Sequence, residues 1–294
     1  MQALILISSS NNNSKTETNL SNFIKENGLG LHRWLAEGEE NQWAVECNVR
    51  CDDISIEMFR KNGQQFEFDI NLISNTNRRK KLLLADMDST LIRGESLDEI
   101  AHKVGVGEEI SKITLQTMNG ELDFHQSIIR RVSLLKGVKQ TVLDEIIEET
   151  VLTSGANLIA PTMKKNGAYC FILSGGFDFL TSQVAKKIGF DGSFSNSLEI
   201  KDSQLTGNIT FPIFGMHSKL QKLTHLCNKQ NISAKDAAAI GDGANDLEML
   251  KVAGLGVAFN GKPILKKEIK TQLNHTDLVG LLFLQGYDVS EINR

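Results

Sequence analysis

Two aspartates two residues apart, Asp86 and Asp88, follow the apolar run Leu82-Leu83-Leu84-Ala85 in the segment Asp86-Met87-Asp88-Ser89-Thr90. A single Asp where a strand ends is ordinary turn chemistry. A carboxylate pair leaving a buried strand, with Thr close behind, suits phosphoryl transfer. Asp86 can attack phosphorus and carry the acyl phosphate. Asp88 can give a proton to the leaving alcohol and later take one from water. Both need a divalent cation to blunt their repulsion from an anionic phosphate, and Mg²⁺, bound through oxygen, is the expected one.

Three further segments complete a set. Gly241-Asp242-Gly243-Ala244-Asn245-Asp246 follows another apolar run. Asp242 is expected at the same metal, with Asn245 and Asp246 beside it, although alone the segment would equally be a turn entering an N-capped helix over 246–252. Ser174-Gly175-Gly176-Phe177 lies between a strand and a helix and offers a hydroxyl and free N–H groups to an anion. By itself that signal is a common Gly-rich turn. Lys219, near the start of a helix expected over 218–227, could neutralise phosphate, whereas most lone lysines are solvated. The weight rests on the four pieces together.

The elements that must position them follow from periodicity. Apolar runs over 82–85, 169–173, 237–240 and 255–259 alternate with helical segments such as 177–188, which ends at Gly189. This predicts an α/β fold with an open parallel sheet, whose ligands lie at the carboxyl ends of its strands. Residues from about 96 to 153 carry little strand signal. Ser96 and Glu99 form a capping-box pattern, and further helices are expected over 108–118, 124–135 and 141–151. The block reads as a helical cap inserted after the first strand of the sheet.

Residues 1–76 read as a separate α+β unit. Ala3 to Ile7 is an apolar run, and Asn19 to Glu26 is expected to be helical. Leu31 to Leu35 and the alternating Trp43, Val45, Cys47 and Val49 predict two strands. Asp53 could cap a helix running to Lys61, and Phe66, Phe68, Ile70 and Leu72 alternate again. The order β-α-β-β-α-β is the split pattern of ferredoxin-like folds. Ser74 to Asn77 and the basic run Arg78-Arg79-Lys80-Lys81 read as a solvated linker into the catalytic unit, 77–294.

Composition narrows the class. The chain of 294 residues is 40% hydrophobic and 23% charged, which excludes a disordered or fibrous protein. A net charge of −4 gives no reason to expect nucleic acid or an anionic membrane as partner, and no apolar run approaches the length of a bilayer span. The N-terminus lacks a secretory pattern, and Cys47, Cys51, Cys170 and Cys227 lack zinc-site spacing. A cytoplasmic location with reduced thiols, and a small-molecule substrate, are the expectations.

These motifs in this order resemble the haloacid-dehalogenase superfamily, and within it the phosphoserine phosphatases. Asp86 to Thr90 with Glu95 and Asp98-Glu99-Ile100-Ala101 is similar to that family's first motif; Phe124 with Arg131-Val132-Ser133-Leu134-Leu135 is similar to its cap segment. Segments 174–177 and 241–246 match its later motifs, so the likeness covers 81 to about 260. The resemblance implies that Asp86 is phosphorylated and Asp88 is the general acid and base. The metal would sit on Asp86, the Asp88 carbonyl and Asp242. Ser174 and the Gly175 N–H would hold phosphate, with Lys219, Asn245 and Asp246 in support. It further implies that Glu95 takes the ammonium of O-phosphoserine and Arg131 its carboxylate, while Met118 and Phe124 close over the small side chain. Read without the resemblance, Arg131 would be a solvated helix arginine, Glu95 a favoured acid at a helix start, and Met118 and Phe124 plain core.

The implied reaction is the last step of serine biosynthesis. Alternatives are a related enzyme acting on phosphohomoserine or another small ester, or transferring the phosphoryl group to an alcohol, and a non-catalytic amino-acid sensor. The N-terminal unit resembles the degenerate amino-acid-binding (ACT-type) domain found before some members. It could bind an amino acid, form a homodimer, or simply pack against the catalytic unit.

Overall fold

Two sheets organise the chain in a computed structural model, which describes residues 2–9, 13–30, 32–49, 56–118 and 121–293. The first is built from β1 (Gln2–Ser9), α1 (Asn13–Glu26), β2 (His32–Glu37), β3 (Gln42–Val49), α2 (Ile56–Gly63) and β4 (Asp69–Ser74). Its strands are antiparallel in the order β2-β3-β1-β4, the ferredoxin-like arrangement. Leu31, Cys51 and the expected cap Asp53 lie outside the described residues.

The apolar run in β1 has a physical cause. Leu4 and Leu6 pack on Leu20 and Phe23 of α1, while Ala3, Ile5 and Ile7 join the core of the parallel-sheet unit that follows. A strand buried on both faces has no reason to alternate. Two expectations are corrected here. The first helix starts at Asn13, well before Asn19, and the last strand starts at Asp69, after Phe66 and Phe68. Those two rings alternate in sequence because they stack, with centroids 5.2 Å apart, and cover Phe23 ahead of the strand.

The second sheet begins with β5 (Leu82–Ala85). Four cap helices follow: α3 (Ser96–Lys103), α4 (Gly107–Met118), α5 (Phe124–Ser133) and α6 (Gln140–Glu149). Then come α7 (Ala156–Lys165), β6 (Tyr169–Phe177), α8 (Asp178–Lys187), β7 (Gly192–Asn196) and a hairpin of β8 (Leu198–Lys201) and β9 (Gln204–Ile209). The chain continues through α9 (Met216–Lys229), β10 (Ala237–Gly241), α10 (Leu247–Val252), β11 (Leu255–Phe259), α11 (Pro263–Glu268), β12 (Thr271–Leu273) and α12 (Gly280–Leu284).

The sheet is parallel, in the order β12-β11-β10-β5-β6-β7. The chain runs outward from β5 to β7 on one side and returns on the other through β10. The switch point therefore lies between β5 and β10, the two strands that end in Asp86 and Asp242. Strands β7 and β12 escape the periodicity analysis because they are short edge strands with polar sequences, GSFSN and TQL.

The cap leaves and returns on paired segments: Ile92 bridges Leu152, Arg93 N–H donates to the Val151 carbonyl at 2.9 Å, and Thr153 N–H to the Leu91 carbonyl at 2.9 Å. The β8–β9 hairpin joins the cap, since the Gly137 N–H donates to the Leu205 carbonyl at 2.8 Å and the Leu205 N–H to the Val138 carbonyl at 2.8 Å. The capping box at Ser96 and Glu99 does not form. Glu95 precedes the first turn of α3 without a side-chain cap, and Asp88 takes the Ser96 N–H instead.

The basic run is not a solvated linker. Arg78 donates to Glu46 at 2.6 Å and to the carbonyls of Phe283 and Leu284; Arg79 bonds Glu291 and lies 4.3 Å over the Tyr287 ring. Lys80 is buried and donates to the carbonyls of Asn77 and Lys235. The run joins the two sheets. The edge of β12 is also closed by β4: the Asn71 amide pairs with both chain groups of Gln272 at 2.8 Å, and Asp69 accepts from the N–H groups of Asn274 and His275. Among the described residues, no helix is long and apolar enough to cross a membrane.

Candidate active site

Asp86 extends β5 by one ladder bond, its N–H donating to the Ile240 carbonyl at 3.0 Å. The chain then turns tightly. Ser89 takes a left-handed φ of 55°, and its N–H reaches back to the Gly94 carbonyl. This loop brings Glu95 beside the aspartates, where the Ser89 hydroxyl donates to it at 2.8 Å.

Asp86 Oδ1 accepts from the Met87 N–H and lies 2.8 Å from Lys219 Nζ. Asp88 Oδ1 accepts from the Ser96 N–H at 2.8 Å, and Oδ2 from the Ser174 hydroxyl at 3.2 Å. Burial, and then the Asp86 charge, hold the Asp88 carboxyl above the usual carboxylate range. A carboxyl whose affinity for a proton is raised in this way is suited to protonating a leaving group.

Lys219 is fully buried, against the solvated expectation for a lone lysine. Burial alone would favour its neutral form, but Asp246 at 2.6 Å and Asp86 outweigh it and keep the ammonium protonated. Asp246 accepts from Lys219 on Oδ1 and from the Gly243 N–H on Oδ2. Gly241 is required because a Cβ there would run into the Asp246 carboxyl. Gly176 is required for a similar reason: its Cβ would stand 2.7 Å from Asp88 Oδ2.

Asp86, Asp242 and Asp246 are buried, each with an oxygen within 4.8 Å of the others. An all-carboxylate donor set fits a hard divalent cation. Both Asp246 oxygens already accept hydrogen bonds, so Asp86 and Asp242 are the better ligands and Asp246 sets the lysine. Burial raises the Asp242 carboxyl, partly offset by the Lys262 ammonium 3.1 Å away.

The cap side is built differently. A cavity of about 120 Å³ is lined by Asp86, Asp88, Asp242 and Asn245 from the sheet, by Gly175, and by Glu95, Phe124 and Arg131. Burial, ahead of the Asp88 charge, pushes Glu95 up to about 7. Arg131 Nε is buried without a hydrogen-bond partner. Ser174, Lys219 and Asp246 stand behind the cavity wall. Met118 ends α4, and its side chain lies outside the described residues.

Lys262 is a cavity residue that the sequence reading missed. Its N–H donates to the Asp242 carbonyl at 2.8 Å, and its ammonium lies 4.0 Å from Glu95. Its place directly after β11, at the carboxyl edge of a parallel strand, was the available signal.

Residues 83–251 match the family model of haloacid dehalogenase-like hydrolases. A phosphoserine phosphatase of Methanocaldococcus jannaschii is 40% identical over 70% of this chain and 97% of its own. One of Archaeoglobus fulgidus is 39% identical over 76% of this chain, which spans 65% of that protein's length. The crystal structure of a HAD family hydrolase from Salmonella enterica serovar Typhi superposes with a TM-score of 0.87 at 32% identity, covering 96% of this chain and 98% of that one. The match therefore includes the N-terminal sheet as well as the catalytic one. The chain belongs to the haloacid dehalogenase-like hydrolase family, among relatives that are phosphoserine phosphatases.

Proposed function

We propose that the chain hydrolyses O-phospho-L-serine to L-serine and phosphate, the closing step of serine biosynthesis, with Mg²⁺ as the cation. The observation that carries the substrate is the pairing on one cavity of Glu95 with a half-buried arginine, Arg131, whose buried Nε has no partner. Phosphoserine brings one ammonium and one carboxylate besides its phosphate, and planar Arg is the better reader of the carboxylate. Phe124 is placed to close over the short side chain.

Asp86, held by Lys219 and the Met87 N–H, attacks phosphorus and becomes an aspartyl phosphate. Asp88 gives its proton to the departing serine oxygen and then takes one from the water that cleaves the acyl phosphate. The Gly175 N–H, on the cavity wall, holds a phosphate oxygen, and the Ser174 hydroxyl behind it would have to turn from Asp88 to hold another. Asp86, the Asp88 carbonyl and Asp242 would hold Mg²⁺, which supplies charge neutralisation at the phosphate. The catalytic unit begins at about residue 77, and the preceding ACT-like unit is an accessory to it. Cys47, Cys170 and Cys227 are buried free thiols, in keeping with a cytoplasmic setting.

Initial rates on phosphoserine, phosphothreonine, phosphohomoserine and p-nitrophenyl phosphate test this reading, with Mg²⁺ and with EDTA. Phosphoserine is expected to have the highest kcat/KM, with activity lost in EDTA and restored by Mg²⁺. A negligible preference for phosphoserine would sink the substrate assignment.

A further inference from the structure

Asn196, the last residue of β7, is 1% exposed and carries no charge, metal ligand or cavity position. Its side-chain amide nevertheless holds two separate active-site segments. Nδ2 donates to the Gly175 carbonyl at 2.8 Å and to the Phe214 carbonyl at 3.0 Å. Oδ1 accepts from the Phe214 N–H at 2.7 Å.

Each arm leads to a reacting group. The carbonyl and N–H of one trans peptide point in opposite directions. Fixing the Gly175 carbonyl therefore fixes the Gly176 N–H, which donates to Ser174 Oγ at 2.9 Å. That hydroxyl in turn donates to Asp88 Oδ2 at 3.2 Å. The other arm brackets Phe214, directly before Gly215. The Gly215 carbonyl accepts the Lys219 N–H at 3.1 Å in the first turn of α9. A Cβ on Gly215 would stand 3.0 Å from the Phe124 ring, so the same segment meets the cap.

We propose that Asn196 is a positioning residue that locks the 174–176 phosphate loop to the N-terminus of the Lys219 helix. It acts on Ser174 and Asp88 through one peptide plane and on Lys219 through the start of α9. Only a side chain offering two donors and an acceptor satisfies all three bonds, which is the inventory of an amide. The inference rests on the phosphatase reading of this site and names a residue that reading does not use.

The test compares Asn196→Ala and Asn196→Ser with the wild type, using p-nitrophenyl phosphate turnover. Ki is measured for orthovanadate, which occupies the phosphate end, and for L-serine, which needs only Glu95 and Arg131. For Asn196→Ala, kcat is expected to fall at least tenfold and the orthovanadate Ki to rise at least tenfold, while the L-serine Ki stays within twofold. Asn196→Ser keeps one donor and should fall between. The proposal is overturned if kcat and the orthovanadate Ki stay within twofold of wild type, or if both inhibitors weaken equally. It is also overturned if neither variant folds, since Asn196 is then a folding determinant. If wild type ignores phosphoserine and L-serine, the substrate reading fails. The orthovanadate comparison still decides Asn196, with the thermal midpoint as its control.

Discussion

The two ends of the cavity are finished to different degrees. At the sheet end, Asp86, Lys219 and Asp246 are buried and bonded to one another before any ligand arrives. At the cap end, Arg131 has an unpartnered buried Nε, and Glu95 stands against the Asp88 charge with only Ser89 and a distant ammonium to ease it. The sheet end resembles a preorganised electrostatic frame, whose cost is met during folding. On the proposed reading, the natural partners of the cap-end groups belong to the substrate. Polar groups that a protein leaves short of partners mark where binding energy will be released.

That contrast can be broken first at Lys219. Lys219→Met should destabilise the fold by about 3–5 kcal/mol, because two carboxyls lose their buried counter-charge. Denaturant unfolding would read this, and a change under 1 kcal/mol would mean the frame is not electrostatically preassembled. Arg131→Ala should do the reverse. KM for phosphoserine should rise roughly 10- to 100-fold with loss of a charged hydrogen bond, while the thermal midpoint holds or increases. A marked drop in midpoint would make Arg131 a structural residue.

The smallest effect concerns Glu95 and pH. Its carboxyl titrates near 4.5 when unfolded and is pushed up to about 7 when folded. Between those values the unfolded chain sheds a proton that the folded chain retains, so stability falls as pH rises through the window. Gln carries no such penalty. In EDTA, Glu95→Gln should therefore melt above wild type at pH 8 and level with it at pH 4. Equal differences at both pH values would mean that the half-exposed Glu95 carboxyl is not shifted by its surroundings.

The sheet end was also the more legible in sequence. Asp86, Asp88 and Asp242 each follow a continuous apolar run, and a buried strand ending in carboxylates leaves few readings. Glu95 directly precedes cap helix α3 and Arg131 lies on α5, places where acids and arginines are routine, and only the family resemblance singled them out. The basic run at 78–81 reads as solvated because four cations in sequence favour solvent, whereas here Glu46, Glu291, Tyr287 and main-chain carbonyls absorb Arg78, Arg79 and Lys80, and Lys81 stays exposed. Phe66 and Phe68 were misread because stacked rings share the period of a strand. Lys262 had only its place after β11 to mark it, and Asn196 carried no local signal, since each acts through residues in other segments.

By itself the sequence determined the parallel sheet, the cap insertion, the preceding β-α-β-β-α-β unit and the carboxylate pair at the end of β5. Periodicity and strand-end chemistry are local, and each is written within a few residues. Only the tertiary structure decided that Lys219 is buried between Asp86 and Asp246, that the N-terminal sheet closes the edge of β12, and that one amide spans two loops. Burial and partnership depend on which distant segments meet, and that is settled by the strand order, with its switch point between β5 and β10.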